Sequence, residues 1–266
     1  MKSKLQQLSK LFLIILLFSY GLIIAGAVFP ALNLIYSANR AKTKRDALKI
    51  HWIKGFSAII NLSVTTEGEL TEPGTLLVSN HISWLDIIVF GQLIPACFVA
   101  KSDILSWPII GFLSKQSGTI FIRRGDKQTI KETTEQIAWA LKQNSTIIAF
   151  PEGTTTSGDK VLNFHASLFQ SALLTKSAIQ PAAIQYRGLA QQQAPFIGED
   201  DFLRHLLRML SLDKIKVHVS FLPVIKGAEM TRQSVSIQAR EKVWEKLSES
   251  MPTAHSADYY CKINTH

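Results

Sequence analysis

A histidine and an aspartate five residues apart, His81 and Asp86, are the side chains in this sequence best suited to proton transfer. A carboxylate on one imidazole nitrogen fixes the tautomer and leaves the other nitrogen free to take a proton from a hydroxyl. Side chains that meet on a regular helix are three or four residues apart, so this pair must meet where a helix begins. The pattern predicts a general base on a strand-to-helix turn.

The same aspartate has a second use that the sequence allows. Ser83 and Asp86 have the spacing of a helix N-terminal capping box, in which the carboxylate only satisfies backbone N–H groups. Residues 75–78 predict a buried strand, and residues 84–93 predict a helix after it. Both interpretations place Asp86 in the first helical turn, so the spacing alone leaves catalysis and capping open.

Two adjacent arginines, Arg123 and Arg124, follow the strand predicted at residues 119–122. Arginine presents a planar fork of donors that matches phosphate. Taken alone, the pair is equally typical of a solvated strand end.

Small and hydroxylated residues follow another predicted strand, at residues 146–150. The loop begins with Glu152, Gly153 and Thr154 and can present backbone N–H groups to an anion. Residues 153–160 are close to a nucleotide-binding P-loop, but Asp159 stands where lysine should follow the glycine, which argues against nucleotide hydrolysis. Further on, Pro181 opens a strand predicted at residues 181–185.

Short apolar runs alternate with helical patterns through most of the chain. Strands are predicted at residues 75–78, 97–100, 119–122, 146–150, 181–185 and 216–221, and helices at 84–93, 107–116, 129–143, 166–177, 202–210 and 234–247. This alternation predicts an α/β fold with a mixed sheet flanked by helices, spanning residues 46–250. Residues 251–266 form a polar tail.

The first 45 residues predict a membrane anchor. Residues 11–39 contain no charged side chain, and a helix of about 20 residues already spans a bilayer. The run suits either one spanning helix or a broken, re-entrant hairpin, since Gly21, Gly26 and Pro30 interrupt it and both flanks are basic. Residues 47–62 have helical apolar spacing, as in an interfacial helix or an ordinary packing helix.

The net charge of +9 points to a membrane surface rather than to nucleic acid. Seven positive charges and no acid lie in the first 45 residues, and the rest of the chain shows no basic stripe. The two cysteines, Cys97 and Cys261, have no metal-ligand spacing and fit a reducing compartment. We therefore expect a membrane protein that works on the cytoplasmic side.

Taken together and in this order, the stretches resemble the glycerolipid acyltransferase family, the lysophosphatidic acid acyltransferases and their relatives. The similarity covers roughly residues 45–225 and rests on Asn80, His81 and Asp86, on Gly118, Ile122, Arg123 and Arg124, on the run from Phe150 to Thr154, and on Pro181.

The resemblance implies a reaction at the cytoplasmic face of a bacterial inner membrane. His81, held by Asp86, would deprotonate the hydroxyl of a lysolipid, which attacks the thioester of acyl-CoA or acyl carrier protein. With 1-acyl-sn-glycerol-3-phosphate as acceptor, the product is phosphatidic acid. The sequence has no G-x-S-x-G nucleophile elbow, so no acyl-enzyme is expected. The chemistry calls for no metal and no cofactor beyond the acyl donor.

The resemblance also assigns the substrate contacts. Arg124, with Arg123 beside it, would bind the acceptor phosphate. Asn80, Glu152, Gly153 and Thr154 would shape the acceptor site, and Pro181 would shape the acyl side.

The sequence departs from the family pattern at Thr155, where members acting on phosphate acceptors often carry arginine. This variant also resembles relatives that acylate other lysolipids, including lyso-ornithine lipid. Two interpretations of other classes remain: a non-catalytic lipid-binding protein, which has no need of His81 as a base, and a lipid hydrolase, for which no nucleophile beside the histidine is evident.

Overall fold

The computed structural model describes residues 2–123, 127–227 and 229–249. Its strands are β1 (Leu62–Glu67), β2 (Leu76–Ser79), β3 (Ala96–Lys101), β4 (Ile120–Ile122), β5 (Thr146–Ala149), β6 (Ile179–Arg187) and β7 (Ile215–Phe221). Its helices are α1 (Lys2–Ile23), α2 (Phe29–Ile35), α3 (Ala38–Ile59), α4 (Leu85–Leu93), α5 (Pro108–Gln116), α6 (Lys127–Lys142), α7 (Gln170–Thr175), α8 (Leu189–Gln193), α9 (Phe202–Leu210) and α10 (Arg232–Ser248).

The strands form one sheet in the order β1-β7-β6-β2-β5-β3-β4. All neighbouring pairs are parallel except β6 and β7, which are antiparallel, so the prediction of a mixed α/β sheet is confirmed. The sequence patterns do not predict β1. It is an edge strand that pairs only with β7, and its alternating sequence from Leu62 to Glu67 lacks the apolar run of a buried strand.

The pleat of the sheet divides the core into two layers. Along β2, Leu77 packs on the layer that contains α1, α3, α4 and α9, whereas Leu76 and Val78 pack on the layer that contains α6, α7 and α10. The same alternation holds in β5, where Ile148 faces the first layer and Ile147 the second. Because β2 and β5 are parallel neighbours, the loops after them meet at one edge of the sheet.

The N-terminal helix is continuous and lies against the α/β domain. A π-helical stretch, Ile24–Val28, joins α1 to α2, so the glycines and Pro30 do not break the helix. The chain reverses at Tyr36, and α3 returns along α1, with Trp52 Nε1 donating to the carbonyl of Leu17 at 2.8 Å. The segment 4–35 is long and apolar enough to cross a membrane by length and composition.

A buried lysine connects α1 to the C-terminal end of α9, in the same layer of the fold. Lys10 Nζ donates to the carbonyls of Leu210 and Leu212, at the end of α9, each at 3.2 Å. The apolar helix is therefore part of the folded layer. Arg124, the predicted phosphate ligand, and the predicted polar tail, residues 251–266, lie outside the described residues.

Candidate active site

His81 and Asp86 meet at the start of α4, directly after β2. His81 Nδ1 lies 2.8 Å from Asp86 Oδ2, and the carboxylate is completely buried whereas the imidazole is 18% exposed. A carboxylate can only accept, so Nδ1 carries the proton and Nε2 is left to accept one. This is the arrangement of a general base with an orienting acid.

The same carboxylate also caps the helix turn. The backbone N–H groups of Ile82 and Ser83 donate to Asp86 Oδ2 at 2.7 and 3.0 Å. The geometry is therefore compatible with both interpretations of the spacing, because Asp86 binds the imidazole and also satisfies backbone N–H groups of the turn that carries it.

Tyr186 completes the shell around Asp86. This residue lies on β6, and its hydroxyl donates to Asp86 Oδ1 at 2.7 Å. Burial, followed by the charge of Asp86, raises the pKa of the Tyr186 hydroxyl well above its ordinary value, so it stays protonated and remains a donor. Sequence reasoning missed this residue because 100 positions separate it from Asp86, and no local spacing links them.

The imidazole is also held from its face. The ring of Phe150 stacks on the ring of His81 with centroids 4.1 Å apart and planes 13° from parallel. Phe150 follows β5, so this contact uses the parallel neighbour of the strand that carries the histidine. The imidazole plane is thus set by an aromatic face and by the Asp86 hydrogen bond together.

Glu152 binds the backbone of the catalytic turn. Its carboxylate oxygens accept from the N–H groups of His81 at 2.7 Å and Leu162 at 2.8 Å. Burial raises the pKa of Glu152 to about 7, although these N–H groups and the charge of Arg240 oppose the shift. The side chain is buried and does not line the cavity described below.

Asn80 and Pro181 are likewise placed inside the fold. The Asn80 side chain donates to the carbonyl of Ile184 at 3.0 Å and accepts from its N–H at 2.9 Å, which joins β2 to β6. Pro181 is the third residue of β6 rather than its first, and its carbonyl accepts from Leu222 at 2.9 Å. Neither residue lines the cavity in the described part of the chain.

A cavity of about 1000 Å³ opens beside His81. Gly153 and Thr154 line it as well, and Gly153 has the positive φ of +67° that the tight turn after β5 requires. Arg123 is exposed at the end of β4 and lies outside the lining. Most of the wall is apolar and comes from α1, α3, α4 and α5, including Phe18, Ile53, Phe56, Ile87, Ile88 and Leu113.

The last two features of the site concern the side chain of Thr155 and the possibility of a metal. Thr155 lines the cavity, and its hydroxyl donates to the carbonyl of Phe196. No group of three His, Cys, Asp or Glu side chains is arranged to hold a metal in residues 2–123, 127–227 and 229–249.

A His–Asp hydrogen-bonded pair beside a large apolar cavity, on an α/β sheet with an apolar N-terminal helix, fits a lipid-modifying transferase. The family described as Acyltransferase matches residues 61–185. The chain is 38% identical over 201 residues to the lyso-ornithine lipid O-acyltransferase of Pseudomonas aeruginosa, which covers 75% of this chain and 78% of that protein. It therefore belongs to the acyltransferase family and is an acyltransferase of the lysophospholipid type.

Two further relatives bear on acceptor and fold. The 1-acyl-sn-glycerol-3-phosphate acyltransferase of Neisseria meningitidis serogroup B is 32% identical over 158 residues, covering 59% of this chain and 62% of that protein. The crystal structure of the acyltransferase PlsC from Thermotoga maritima superposes with a TM-score of 0.68 over 92% of this chain and 97% of that chain. At 19% identity, that likeness shows the fold.

Replacing Asn80 tests its placement as a structural clamp. In Asn80→Ala the buried N–H and carbonyl of Ile184 lose their partner, so we expect the free energy of unfolding to fall by about 2–3 kcal/mol. Urea unfolding of the detergent-solubilised protein measures this. Asn163→Ala, at an exposed position, should change it little. An Asn80→Ala protein of normal stability and raised acceptor KM would instead make Asn80 a substrate ligand.

Glu152 should contribute a pH dependence to stability. Its pKa rises from 4.5 to about 7 on folding, so the folded chain binds more protons than the unfolded chain between these values. Stability from this group is full below pH 4.5 and is lost as pH rises through 7, by about 3 kcal/mol. The free energy of unfolding, measured at pH 5 and pH 8, should show this loss in the wild type. Glu152→Gln should show no such loss. Glu135→Gln, at an exposed position, should retain the wild-type slope.

Removing the Tyr186 hydroxyl should weaken the hold on Asp86. In Tyr186→Phe the buried Asp86 Oδ1 loses its donor, so Asp86 orients the His81 imidazole less firmly. We expect kcat to fall about tenfold while the KM of the acceptor stays unchanged. Tyr20→Phe on α1 is the matched control. A lower melting temperature with an unchanged kcat would reduce Tyr186 to a packing residue.

Proposed function

We propose that this chain transfers a fatty acyl group from acyl-CoA or acyl carrier protein to the hydroxyl of a lyso-ornithine lipid. The observation that carries the proposal is the Pseudomonas aeruginosa relative, which shares 38% of its residues over 78% of its length and bears this activity in its name. Thr155 supports it, because the family arginine that suits phosphate acceptors is replaced there by a residue without charge.

The described geometry supports the following reaction. His81 Nε2 takes the proton of the acceptor hydroxyl while Asp86 stabilises the resulting imidazolium. The alkoxide-like oxygen attacks the thioester carbonyl, and a tetrahedral intermediate forms. When it collapses, the C–S bond breaks and the thiolate takes the proton back from His81. An ester and a free thiol result, with no covalent bond to the protein and no metal.

The cavity provides for the apolar part of the substrates. Its volume of about 1000 Å³ is at the upper end of ligand pockets, and its wall is mostly apolar. Gly153, Thr154 and Thr155 line the cavity together with His81, and this supports placing the acceptor headgroup on their side. Because thioester donors are cytosolic, we place this face of the membrane protein toward the cytoplasm.

Lysophosphatidic acid is the second candidate acceptor. The Neisseria meningitidis relative favours it, as do Arg123 and Arg124, whose guanidinium forks suit phosphate. Gly153 and Thr154 line the cavity and remain predicted substrate contacts. Asn80, Glu152 and Pro181, predicted with them, do not line it and would act through the backbone that they bind.

An acceptor panel separates the two candidates. Purified full-length protein in mixed micelles is given labelled acyl-CoA or acyl carrier protein with lyso-ornithine lipid, lysophosphatidic acid or lysophosphatidylethanolamine. We expect kcat/KM for lyso-ornithine lipid to exceed that for lysophosphatidic acid at least tenfold. His81→Ala, which removes the base, should lower kcat by about 10²–10⁴ with every acceptor. A preference for lysophosphatidic acid would reverse the assignment, and full turnover by His81→Ala would overturn the mechanism.

A further inference from the structure

Exposed apolar side chains are concentrated on the layer of the molecule that contains α1. Besides the outer side of α1, the segment 105–112 exposes Leu105 (46%), Ile109 (46%) and Phe112 (37%). On the other layer, the exposed large apolar residues are spread over three helices, with Ile130 and Trp139 nine residues apart on α6, Leu174 on α7 and Ile237 on α10. Single residues of that kind are ordinary, whereas a contiguous patch marks an interaction surface.

The segment is continuous with the N-terminal helix. A Cβ built on Gly26, in the π-helical stretch, would lie 4.0 Å from Phe112 Cζ, and both residues are exposed. At its other end, the ring of Trp107 packs edge-on against Phe202 of α9, with centroids 5.4 Å apart. The far end of α9 is fastened to α1 through Lys10. The three elements α1, 105–112 and α9 therefore form a closed frame on one face.

The cavity lies inside this frame. Trp107, Ile109 and Ile110 line it from the segment, and Ile14 and Phe18 line it from α1. The segment is thus apolar on the side that faces the cavity and also on the side that faces outward. A surface helix of a soluble protein keeps a polar outer face, whereas Ser106 is the one exposed residue with a hydroxyl, amide or charged side chain in this segment.

We propose that residues 105–112 form a second membrane-contacting segment, which lies in the same leaflet as the outer side of α1. The partner is the lipid bilayer. Continuity with α1 selects lipid, because a protein that covered Phe112 would have to lie beside that helix in the membrane. Lipid then contacts both α1 and the segment 105–112. A lysolipid in that leaflet enters the cavity between these two elements and reaches His81. The inference holds for either acceptor.

Site-specific labelling tests this contact. In a Cys97→Ala, Cys261→Ser background, an NBD fluorophore is attached at Leu105→Cys or Phe112→Cys. Leu16→Cys, 50% exposed on α1, is the membrane reference, and Ile237→Cys, 47% exposed on the opposite layer, is the matched control. The full-length protein is placed in phosphatidylcholine–phosphatidylglycerol vesicles. Quenching by nitroxide-labelled lipid and by aqueous iodide is then measured, after retained turnover has shown that each variant is folded.

The expected result is that the labels at positions 105 and 112 are quenched by nitroxide lipid to at least half the extent found at position 16. Iodide should quench them several-fold less than the label at position 237. Iodide quenching at both positions equal to that at 237 would show that the segment faces water. Protection from iodide without quenching by lipid would show that a protein covers it. Either outcome overturns the proposal, and neither depends on which lysolipid is acylated.

Discussion

The buried carboxylate of Asp86 is the group on which the active-site geometry depends. A carboxylate without solvent costs several kcal/mol unless donors replace its hydration. Here four donors do so, from the His81 imidazole, the N–H groups of Ile82 and Ser83, and the Tyr186 hydroxyl. Because the four come from the turn and from a distant strand, satisfying this one charge fixes the catalytic turn against the sheet.

The strand order explains how so short a segment is held from both sides. β2 lies between β5 and β6, and both neighbours are parallel to it. Glu152, which follows β5, accepts a hydrogen bond from the backbone N–H of His81. On the other side, the Asn80 side chain is hydrogen-bonded to the backbone of Ile184 in β6, two residues before Tyr186. The residues just after β2 are therefore held by hydrogen bonds from the β5 side and from the β6 side. A shift of the backbone at residues 80–81 would break a buried hydrogen bond on at least one side.

The sequence predicts the parts of this site that are local and misses those that depend on strand register. His81 and Asp86 are only five positions apart in sequence, and the alternation of predicted strands and helices places them at a strand end. Tyr186 reaches Asp86 only because β6 lies beside β2, which no spacing encodes. Glu152 and Asn80 were expected to meet substrate. A carboxylate or an amide that binds the backbone cannot be told in the sequence from one that binds substrate. That the Glu152 and Asn80 side chains point into the fold is therefore visible only in the structure.

Thr155, the position proposed to affect acceptor choice, is connected by hydrogen bonds to the rest of its layer. The Thr155 hydroxyl donates to the carbonyl of Phe196, whose N–H in turn donates to the carbonyl of Ile82 at 2.9 Å, beside the catalytic histidine. The loop that carries Phe196 is fastened to α9 by His205, which donates to the carbonyl of Ala194 at 3.0 Å. Threonine here does more than remove a charge. Its hydroxyl links the cavity wall, through the loop that carries Phe196, to the turn at His81 and to α9, so the position proposed to affect headgroup choice and the proposed membrane-facing frame share one set of contacts.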